Sequence, residues 1–357
     1  MTAPRVRDDL ASLEGYHSPQ VVAEVRLNTN ESPFAPSTAF LDDLASWVVT
    51  TSLNRYPDRS MVEIRGALAS MHGVSLDEIF CANGSNEVIQ SLLLAFGGVG
   101  RRCLVFEPTY ALHSHIARIT ATAVTTCERE PDFTLRPEKV AEAVLTSRPA
   151  VTFLCSPNNP TGMTESLEVV AAALEASRSF GGIVVVDEAY GQFAEHTASS
   201  LRSGIDGDRL VIMRTFSKTW ALAGLRLGYL EAATPIVEGC MLVGLPYSVS
   251  TLTQKAGCLA LMHAGDMDRQ VQELKDQRSW LLGALQGLEV TTWPSQANFI
   301  LFRPRSTPGH EVWTSLLDRS VLVRDFSSWP RLSECLRVTV GTRSENGRFI
   351  EALKEAL

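Results

Sequence analysis

The chain has 357 residues, of which 45% are hydrophobic and 20% are charged, so it carries enough apolar residues for a large packed core. Its formal net charge of −8 disfavours binding to a nucleic-acid backbone, which requires clustered Lys and Arg. We therefore expect a globular protein without a nucleic-acid partner.

Cysteine usage and apolar segments also restrict the class of protein. The seven cysteines are scattered and include no C-x-x-C pair, which favours reduced thiols over disulfides or a zinc site. The first residues, MTAPRVRDDLASLEGY, contain no apolar signal core, and no run of about 18 apolar residues follows. We expect a cytoplasmic protein that binds neither metal nor membrane.

The first two thirds of the chain alternate between two patterns. Near-continuous apolar runs predict buried strands at CLVFEP (from Cys103), VTFLCSP (from Val151), GGIVVVDEAY (from Gly181) and RLVIMRTFSK (from Arg209). Helical periodicity separates them, as in NEVIQSLLLAF and SLEVVAAALEASRSF. This alternation predicts an α/β fold with a mostly parallel central sheet flanked by helices.

The pattern changes near residue 245. Helical periodicity runs from Ser250 to Leu288, and short strand candidates, NFILF, VLVRD and LRVTVG, come after it. A closing helix is predicted, with Ser344 as its N-cap. We therefore expect a large domain over 31–243 and a smaller α+β domain built from 1–30 and 244–357.

Three polar residues follow predicted strands of the large domain. Asp187 ends IVVVD, Lys218 follows LVIMR, and Asn159 lies in SPNNPTG after VTFLC. Alone, each is typical of a turn, a cap or a solvated side chain. Open α/β sheets bind ligands at this edge, however, and a lysine beside a buried acid can form a Schiff base with a carbonyl cofactor.

The motifs SPNNPTG, DEAY and SKTWALAGLRLG, in this order and spacing, resemble those of pyridoxal-phosphate-dependent aminotransferases of fold type I. Within that superfamily, LNTNESPF, LNRYPD, ANGSNEVIQ and LRVTVGTRSEN are most similar to the histidinol-phosphate aminotransferases, notably the actinobacterial branch. The resemblance extends from about Tyr16 to the C-terminus and implies pyridoxal 5′-phosphate as the cofactor.

The resemblance assigns roles at the cofactor ring. Lys218 would hold the cofactor through a Schiff base and later move the substrate's α-proton. Asp187 would keep the pyridine nitrogen protonated, and Tyr190 and Asn159 would hydrogen-bond the phenolic oxygen. Tyr110 would stack on the ring, although an aromatic residue at a strand end can also be part of the core.

The resemblance places the cofactor phosphate at the start of the helix after Gly84. Free backbone N–H groups and the helix dipole favour an anion there, although polar residues at this position can also simply cap the helix. The expected phosphate ligands are Ser85, Asn86, Thr215, Ser217 and Arg226.

Further residues are implied to bind the substrate or to act across a dimer. Tyr56, in LNRYPD, would reach the active site of the neighbouring subunit, which implies a homodimer. Arg337 and Arg324 would bind the phosphate group of the substrate, with Asn159 nearby, and Tyr16 would fold over it.

The implied reaction is ping-pong amino transfer from histidinol phosphate to the oxo acid 2-oxoglutarate. Two alternatives stay open: an aromatic amino-acid aminotransferase, and a related enzyme of secondary metabolism that catalyses decarboxylation, oxidative deamination or C–S cleavage of an amino-acid conjugate. Several departures from the usual family pattern are expected near the substrate pocket. They are the motif SKTW, the long loop FSSWPRLSE before Leu336, and the single residues Ser32, Phe34, Gln192 and Ser248.

Overall fold

The computed structural model describes residues 4–11, 13–15 and 21–357. Within residues 21–357, a seven-stranded sheet has the order β2-β8-β7-β6-β5-β3-β4. Its strands are β2 (Ile79–Ala82), β3 (Arg102–Glu107), β4 (Ala123–Glu128), β5 (Val151–Cys155), β6 (Ile183–Asp187), β7 (Leu210–Thr215) and β8 (Gly228–Glu231). Neighbours pair in parallel except for β8, which is antiparallel to β2 and β7. The predicted α/β fold with a mostly parallel sheet is confirmed.

Helices cover both faces of this sheet because its central strands are apolar on both sides. Every residue of β5, β6 and β7 is buried. Side chains such as Val185 pack on one face with residues of three helices, whereas Val184 and Val186 pack on the other face with two more. The helices are α3 (Ser85–Phe96), α4 (Ala111–Ile119) and α7 (Thr234–Val243) on the first face, and α5 (Pro137–Ser147) and α6 (Leu167–Ser177) on the second.

A second sheet in the same part of the chain has five strands in the order β1-β11-β12-β10-β9. The strands are β1 (Val25–Leu27), β9 (Val290–Thr292), β10 (Phe299–Pro304), β11 (Val321–Asp325) and β12 (Leu336–Thr339). β1 runs parallel to β11, with Val25 opposite Val321, and the other pairs are antiparallel. The domain division of 31–243 against 1–30 plus 244–357 stays a prediction.

The remaining helices are α1 (Thr38–Val48), α2 (Val62–His72), α8 (Thr251–Met262), α9 (Ala264–Gln286), α10 (Gly309–Asp318) and α11 (Arg343–Ala356). The helical pattern after Ser250 thus forms two helices, which meet at His263. The predicted N-cap of the last helix was wrong by two residues. Thr342 caps α11, because its hydroxyl accepts from the Glu345 N–H while the Glu345 carboxylate accepts from the Thr342 N–H.

A buried ion pair supports the loop after β5. Arg129 Nη1 lies 2.6 Å from Glu165 Oε1, and both side chains are almost fully buried. Arg129 also donates to the carbonyl oxygens of Phe106 and Phe133. The Glu165 N–H in turn donates to the Ser156 hydroxyl, so the pair ties this loop to the sheet.

Candidate functional site

A cavity opens at the carboxyl ends of β5, β6 and β7, where parallel strands place their following loops side by side. The second sheet contributes its far wall through β11 and β12. Twelve of the residues predicted from the sequence line it: Ser85, Asn86, Tyr110, Asn159, Asp187, Tyr190, Thr215, Ser217, Lys218, Arg226, Arg324 and Arg337.

Lys218 lies in the turn after β7, with its Nζ 2.9 Å from the carbonyl oxygen of Thr29, to which it donates. Burial, reinforced by the positive charges of Arg337 and Arg226, lowers the pKa of Lys218 to about 8. A lysine with a lowered pKa is a better nucleophile at neutral pH, since more of it is uncharged.

Asp187 ends β6 and is 2% exposed. Its Oδ1 accepts from the Ala189 N–H at 3.0 Å, and its Oδ2 accepts from Nε2 of His113 at 3.0 Å. His113 is itself fully buried on α4, and its ring stacks on Phe153 with the centroids 4.6 Å apart. These donors hold the carboxylate in one orientation at the floor of the cavity.

Tyr190 follows Asp187 and is also buried. Its hydroxyl accepts a hydrogen bond from Asn30 Nδ2 at 2.9 Å, and Asn30 is held by Thr339 of β12 through two further hydrogen bonds. Burial raises the pKa of Tyr190 to about 12, so the phenol is a proton-bearing donor at neutral pH.

The start of α3 and the turn before β8 form a cradle in which backbone and a guanidinium group approach closely. A Cβ atom on Gly84, whose φ is +85°, would lie 2.3 Å from Arg226 Nη2, and one on Gly228 would lie 2.3 Å from the backbone nitrogen of Ser85. Arg226 Nη1 also donates to Ser217 Oγ at 3.2 Å. This concentration of donors at a helix N-terminus fits a phosphate group.

Thr215 and Tyr110 complete the donor set around this cradle. The Thr215 hydroxyl donates to Ser217 Oγ at 3.1 Å. The Tyr110 hydroxyl donates to Asn86 Oδ1 at 3.1 Å, and its ring meets His113 edge-on. Tyr110 therefore contributes both to the cavity wall and to the core beneath it.

Arg324 and Arg337 lie opposite each other on β11 and β12. They are 8% and 5% exposed, and both guanidinium groups lie near the ring of Phe326, at 5.7 and 5.4 Å from its centroid. Arg337 also donates to Asn159 Oδ1 and to the carbonyl oxygen of Asn28. Two fixed, desolvated guanidinium groups form a site for a dianion.

One predicted residue, Tyr56, does not line this cavity, and a second lies in a part of the chain that the structure does not describe. The Tyr56 side chain is 81% exposed and stacks on Tyr247, with the ring centroids 4.6 Å apart. Within the single chain it does not line the cavity. Tyr16 lies outside the described residues.

Among the departures from the family pattern that were expected near the substrate pocket, the loop FSSWPRLSE contributes Phe326 and Trp329 to the cavity lining, in contrast to four single residues. None of them is among the residues that line the cavity: Ser32, Phe34, Gln192 and Ser248. Ser32 and Phe34 are instead joined by hydrogen bonds. The Ser32 hydroxyl donates to the Phe34 carbonyl oxygen at 3.2 Å and accepts from the Phe34 N–H at 3.2 Å.

Several lining residues were missed in the sequence analysis. Asn28, Thr29 and Asn30 belong to the LNTNESPF motif, but the motif alone does not say which side chains face a ligand. Phe326 and Trp329 belong to the loop FSSWPRLSE, which was expected near the pocket, but the sequence does not say which of its side chains line it. His113, which contacts Asp187 but does not itself line the cavity, was also not predicted, since the sequence does not show that these two residues are neighbours.

The charges that line the cavity are unbalanced. Among the described residues there, four are basic, Lys218, Arg226, Arg324 and Arg337, whereas Asp187 alone is acidic, so the cavity is suited to anions.

Two other kinds of feature are absent from residues 4–11, 13–15 and 21–357. No group of three or more His, Cys, Asp or Glu side chains there is arranged to hold a metal ion. In the same residues, no helix has the length and apolar character needed to cross a membrane.

Comparison with known proteins identifies relatives of the whole chain. Residues 23–353 match the family model described as aminotransferase class I and II. A histidinol-phosphate aminotransferase of Frankia casuarinae is 44% identical over 99% of this chain and 90% of the relative. Another, from Paenarthrobacter aurescens, is 40% identical over 99% of this chain and 95% of the relative.

Solved structures show the same fold. The crystal structure of histidinol-phosphate aminotransferase from Sinorhizobium meliloti, in complex with pyridoxal-5′-phosphate, superposes with a TM-score of 0.89. The match covers 99% of this chain and 98% of that one at 21% identity, so it speaks for the fold alone.

Proposed function

Because this chain belongs to the class I and II aminotransferases, we propose that it uses pyridoxal 5′-phosphate to transfer the amino group of histidinol phosphate to 2-oxoglutarate. The observation that carries the choice of substrate is the pair Arg324 and Arg337, two desolvated guanidinium groups in one cavity with Lys218. A substrate with a terminal dianion matches the double positive charge of this pair, whereas an amino acid with an apolar side chain brings only the single negative charge of its carboxylate.

The charge count supports two phosphate groups in the same cavity. Arg226, with the Ser217 hydroxyl and the start of α3, would hold the phosphate of the cofactor. Arg324 and Arg337 would hold the phosphate of the substrate. Only one acidic side chain, Asp187, lines the cavity beside these basic groups, so the lining keeps a surplus of positive charge that favours anionic ligands.

When bound, pyridoxal 5′-phosphate supplies an aldehyde that condenses with amines and a ring that accepts electrons from the α-carbon. The amine of Lys218, poised by its lowered pKa, would hold the cofactor and then carry the proton at the substrate's α-carbon. The Asp187 carboxylate would hold a proton on the ring nitrogen. The phenol of Tyr190 and the amide of Asn159 would bind the phenolic oxygen and orient the ring.

The proposed enzyme is a cytoplasmic homodimer in which Tyr56 completes the partner's site. The support is the exposure of an aromatic pair, since Tyr56 is 81% and Tyr247 is 45% exposed in the single chain. Apolar side chains nearby in sequence, Leu53 at 67% and Leu245 at 74%, are exposed as well. Exposed apolar surface of this kind is typical of an interface between subunits.

The test is a single-turnover reaction of the holoenzyme with histidinol phosphate in the absence of an oxo acid. We expect the cofactor spectrum to change to that of the amino form in one equivalent, and 2-oxoglutarate to reverse it. Oxygen uptake, release of ammonia without an oxo acid, or loss of CO₂ would instead assign one of the alternative reactions. No spectral change with histidinol phosphate would refute the proposed substrate.

A further inference from the structure

The loop between β11 and β12 brings a tryptophan to the arginine pair. Trp329 lines the cavity together with Arg324 and Arg337. It meets the ring of Phe326 edge-on, with the centroids 5.0 Å apart and an angle of 87° between the planes. Phe326 in turn lies against both guanidinium groups. Both rings of this aromatic pair therefore contribute to the cavity wall together with the arginines.

The two aromatic rings have different tasks. Both guanidinium groups lie within 6 Å of the Phe326 centroid, so its ring electrons partly offset the repulsion between two like charges. Trp329 has no such contact with either arginine in the described structure, and it is only half-buried. Its free surface therefore faces the cavity.

Packing fixes the indole from behind. Trp329 packs on a small apolar cluster that is separate from the main core and includes Phe133, Leu301 and Leu332. Backbone hydrogen bonds join the Trp329 N–H to the Phe326 carbonyl at 2.8 Å and the Leu332 N–H to the Trp329 carbonyl at 3.1 Å. The wall is therefore formed before any ligand binds.

Polar contacts anchor the same loop at both of its ends. Arg331 pairs with the Glu128 carboxylate on the neighbouring sheet. Glu334 accepts from the Gly309 N–H at 2.5 Å, and the Ser327 N–H donates to Asp325 Oδ1 at 2.7 Å. A loop held in this way keeps the position of the indole well defined.

We propose that Trp329 is a specificity-determining residue, whose indole excludes water beside Arg324 and Arg337 so that this end of the cavity takes a phosphate monoester. An apolar wall lowers the local dielectric constant and strengthens the attraction of both guanidinium groups for a dianion. A donor without the phosphate carries no dianion on which this attraction could act. The inference deepens the proposed function and rests on it for the identity of the substrate.

The kinetic test compares histidinol phosphate with histidinol, which lacks the phosphate group. In Trp329→Leu we expect the ratio of kcat/KM for the two donors to fall about tenfold, mainly through a higher KM for histidinol phosphate, with kcat within about threefold. Trp329→Phe keeps an aromatic wall and should retain most of the ratio.

A matched control separates selectivity from stability. Trp293 packs on the same apolar cluster but does not line the cavity, so Trp293→Leu should leave the ratio unchanged. A ratio that is unchanged in Trp329→Leu would overturn the proposal. An equal fall in Trp293→Leu would also overturn it, since the effect would then reflect the packing of the cluster.

A binding measurement keeps this inference separate from the proposed function. Inorganic phosphate is titrated into each holoenzyme by calorimetry, and we expect its affinity to fall about tenfold in Trp329→Leu and to persist in Trp293→Leu. If the wild-type enzyme binds phosphate about tenfold more tightly than Trp329→Leu but does not react with histidinol phosphate, only the proposed substrate is refuted. If the wild-type enzyme reacts with histidinol phosphate but Trp329→Leu binds phosphate with the same affinity as the wild type, only the role of Trp329 is refuted.

Discussion

The imidazole of His113 donates to the carboxylate of Asp187 across 3.0 Å, although the two residues are 74 positions apart in the sequence. Both side chains are buried, so the hydrogen bond is protected from water. A hydrogen bond to a carboxylate in such surroundings fixes the orientation of the group. His113 is therefore the residue that orients the Asp187 carboxylate at the floor of the cavity.

Replacing this imidazole should weaken cofactor binding. For His113→Phe we expect the Kd of pyridoxal 5′-phosphate to rise about tenfold, since a hydrogen bond to a charged group contributes about 1.5 kcal/mol. The measurement is fluorescence titration of the apo-enzyme. His113→Gln retains a donor and serves as the control. An unchanged Kd in His113→Phe would show that Ala189 alone suffices to hold the carboxylate.

The lowered pKa of Lys218 predicts how cofactor attachment depends on pH. Below about pH 8 the amine is mostly protonated and cannot attack an aldehyde, so the attachment rate of the apo-enzyme should rise about tenfold per pH unit there and level off above it. Stopped-flow absorbance between about pH 6 and about pH 10 measures this profile. In Lys218→Ala, attachment at this site should be absent.

The pH dependence of cofactor attachment should also depend on Arg337. Its positive charge contributes to the lowered pKa of Lys218, so Arg337→Ala should move the midpoint to higher pH. Arg348→Ala, which removes an exposed arginine paired with Glu24, is the control and should leave the midpoint in place. A midpoint near the ordinary lysine pKa in the wild type would contradict burial of this amine.

Removal of either arginine of the dianion site should weaken substrate binding. We expect Arg337→Ala to raise KM for histidinol phosphate about 100-fold, because truncation of a buried charged partner costs about 2 to 5 kcal/mol. Arg324→Ala should act in the same direction. The check is steady-state kinetics with histidinol as a second donor. Because histidinol lacks the phosphate, its KM should change much less in Arg324→Ala.

The buried pair of Arg129 and Glu165 should be important for stability. Arg129→Ala leaves the Glu165 carboxylate without its partner, which should lower the free energy of unfolding by about 3 kcal/mol. Urea unfolding of the purified variant measures the change. Glu355→Ala breaks an exposed pair with Arg319 and should cost less than about 1 kcal/mol. Equal losses in the two variants would rule out a special role for the buried pair.

Tyr56 provides the test of the proposed dimer. Sedimentation of the wild type should show two chains, and Tyr56→Phe should raise the Kd of pyridoxal 5′-phosphate severalfold without dissociating them, since only the hydroxyl is removed. A monomer with full affinity for the cofactor would contradict both parts of this proposal.

The strands were predictable from sequence where burial on both faces makes them continuously apolar, as in β5, β6 and β7. β4 has no such pattern because its AVTTCE run is half-exposed at the edge of the sheet. β1 has only three residues. Such elements are determined by tertiary pairing, which a local pattern does not contain.

The residues of the site also fall into two groups, those that could be predicted from the sequence and those that could not. Lys218, Asp187 and Asn159 could be grouped in advance because parallel strands bring their carboxyl ends to one edge. Asn30 lines the cavity, and His113 supports Asp187 from beneath it, only through contacts between distant parts of the chain. The partner of each is fixed by packing rather than by spacing, so sequence reasoning did not find them.

The pairing of β1 with β11 has a consequence for synthesis of the protein on the ribosome. The Glu24 N–H donates to Ser320 Oγ, 296 residues later, and the segment that follows β1 supplies the Thr29 carbonyl to Lys218. At about 10 residues per second, the early segment waits about half a minute for its strand partner to be translated. A nascent chain interrupted before β11 would contain the complete large sheet and its lysine but lack both arginines of the dianion site. Such a fragment could capture the cofactor without being able to select a substrate.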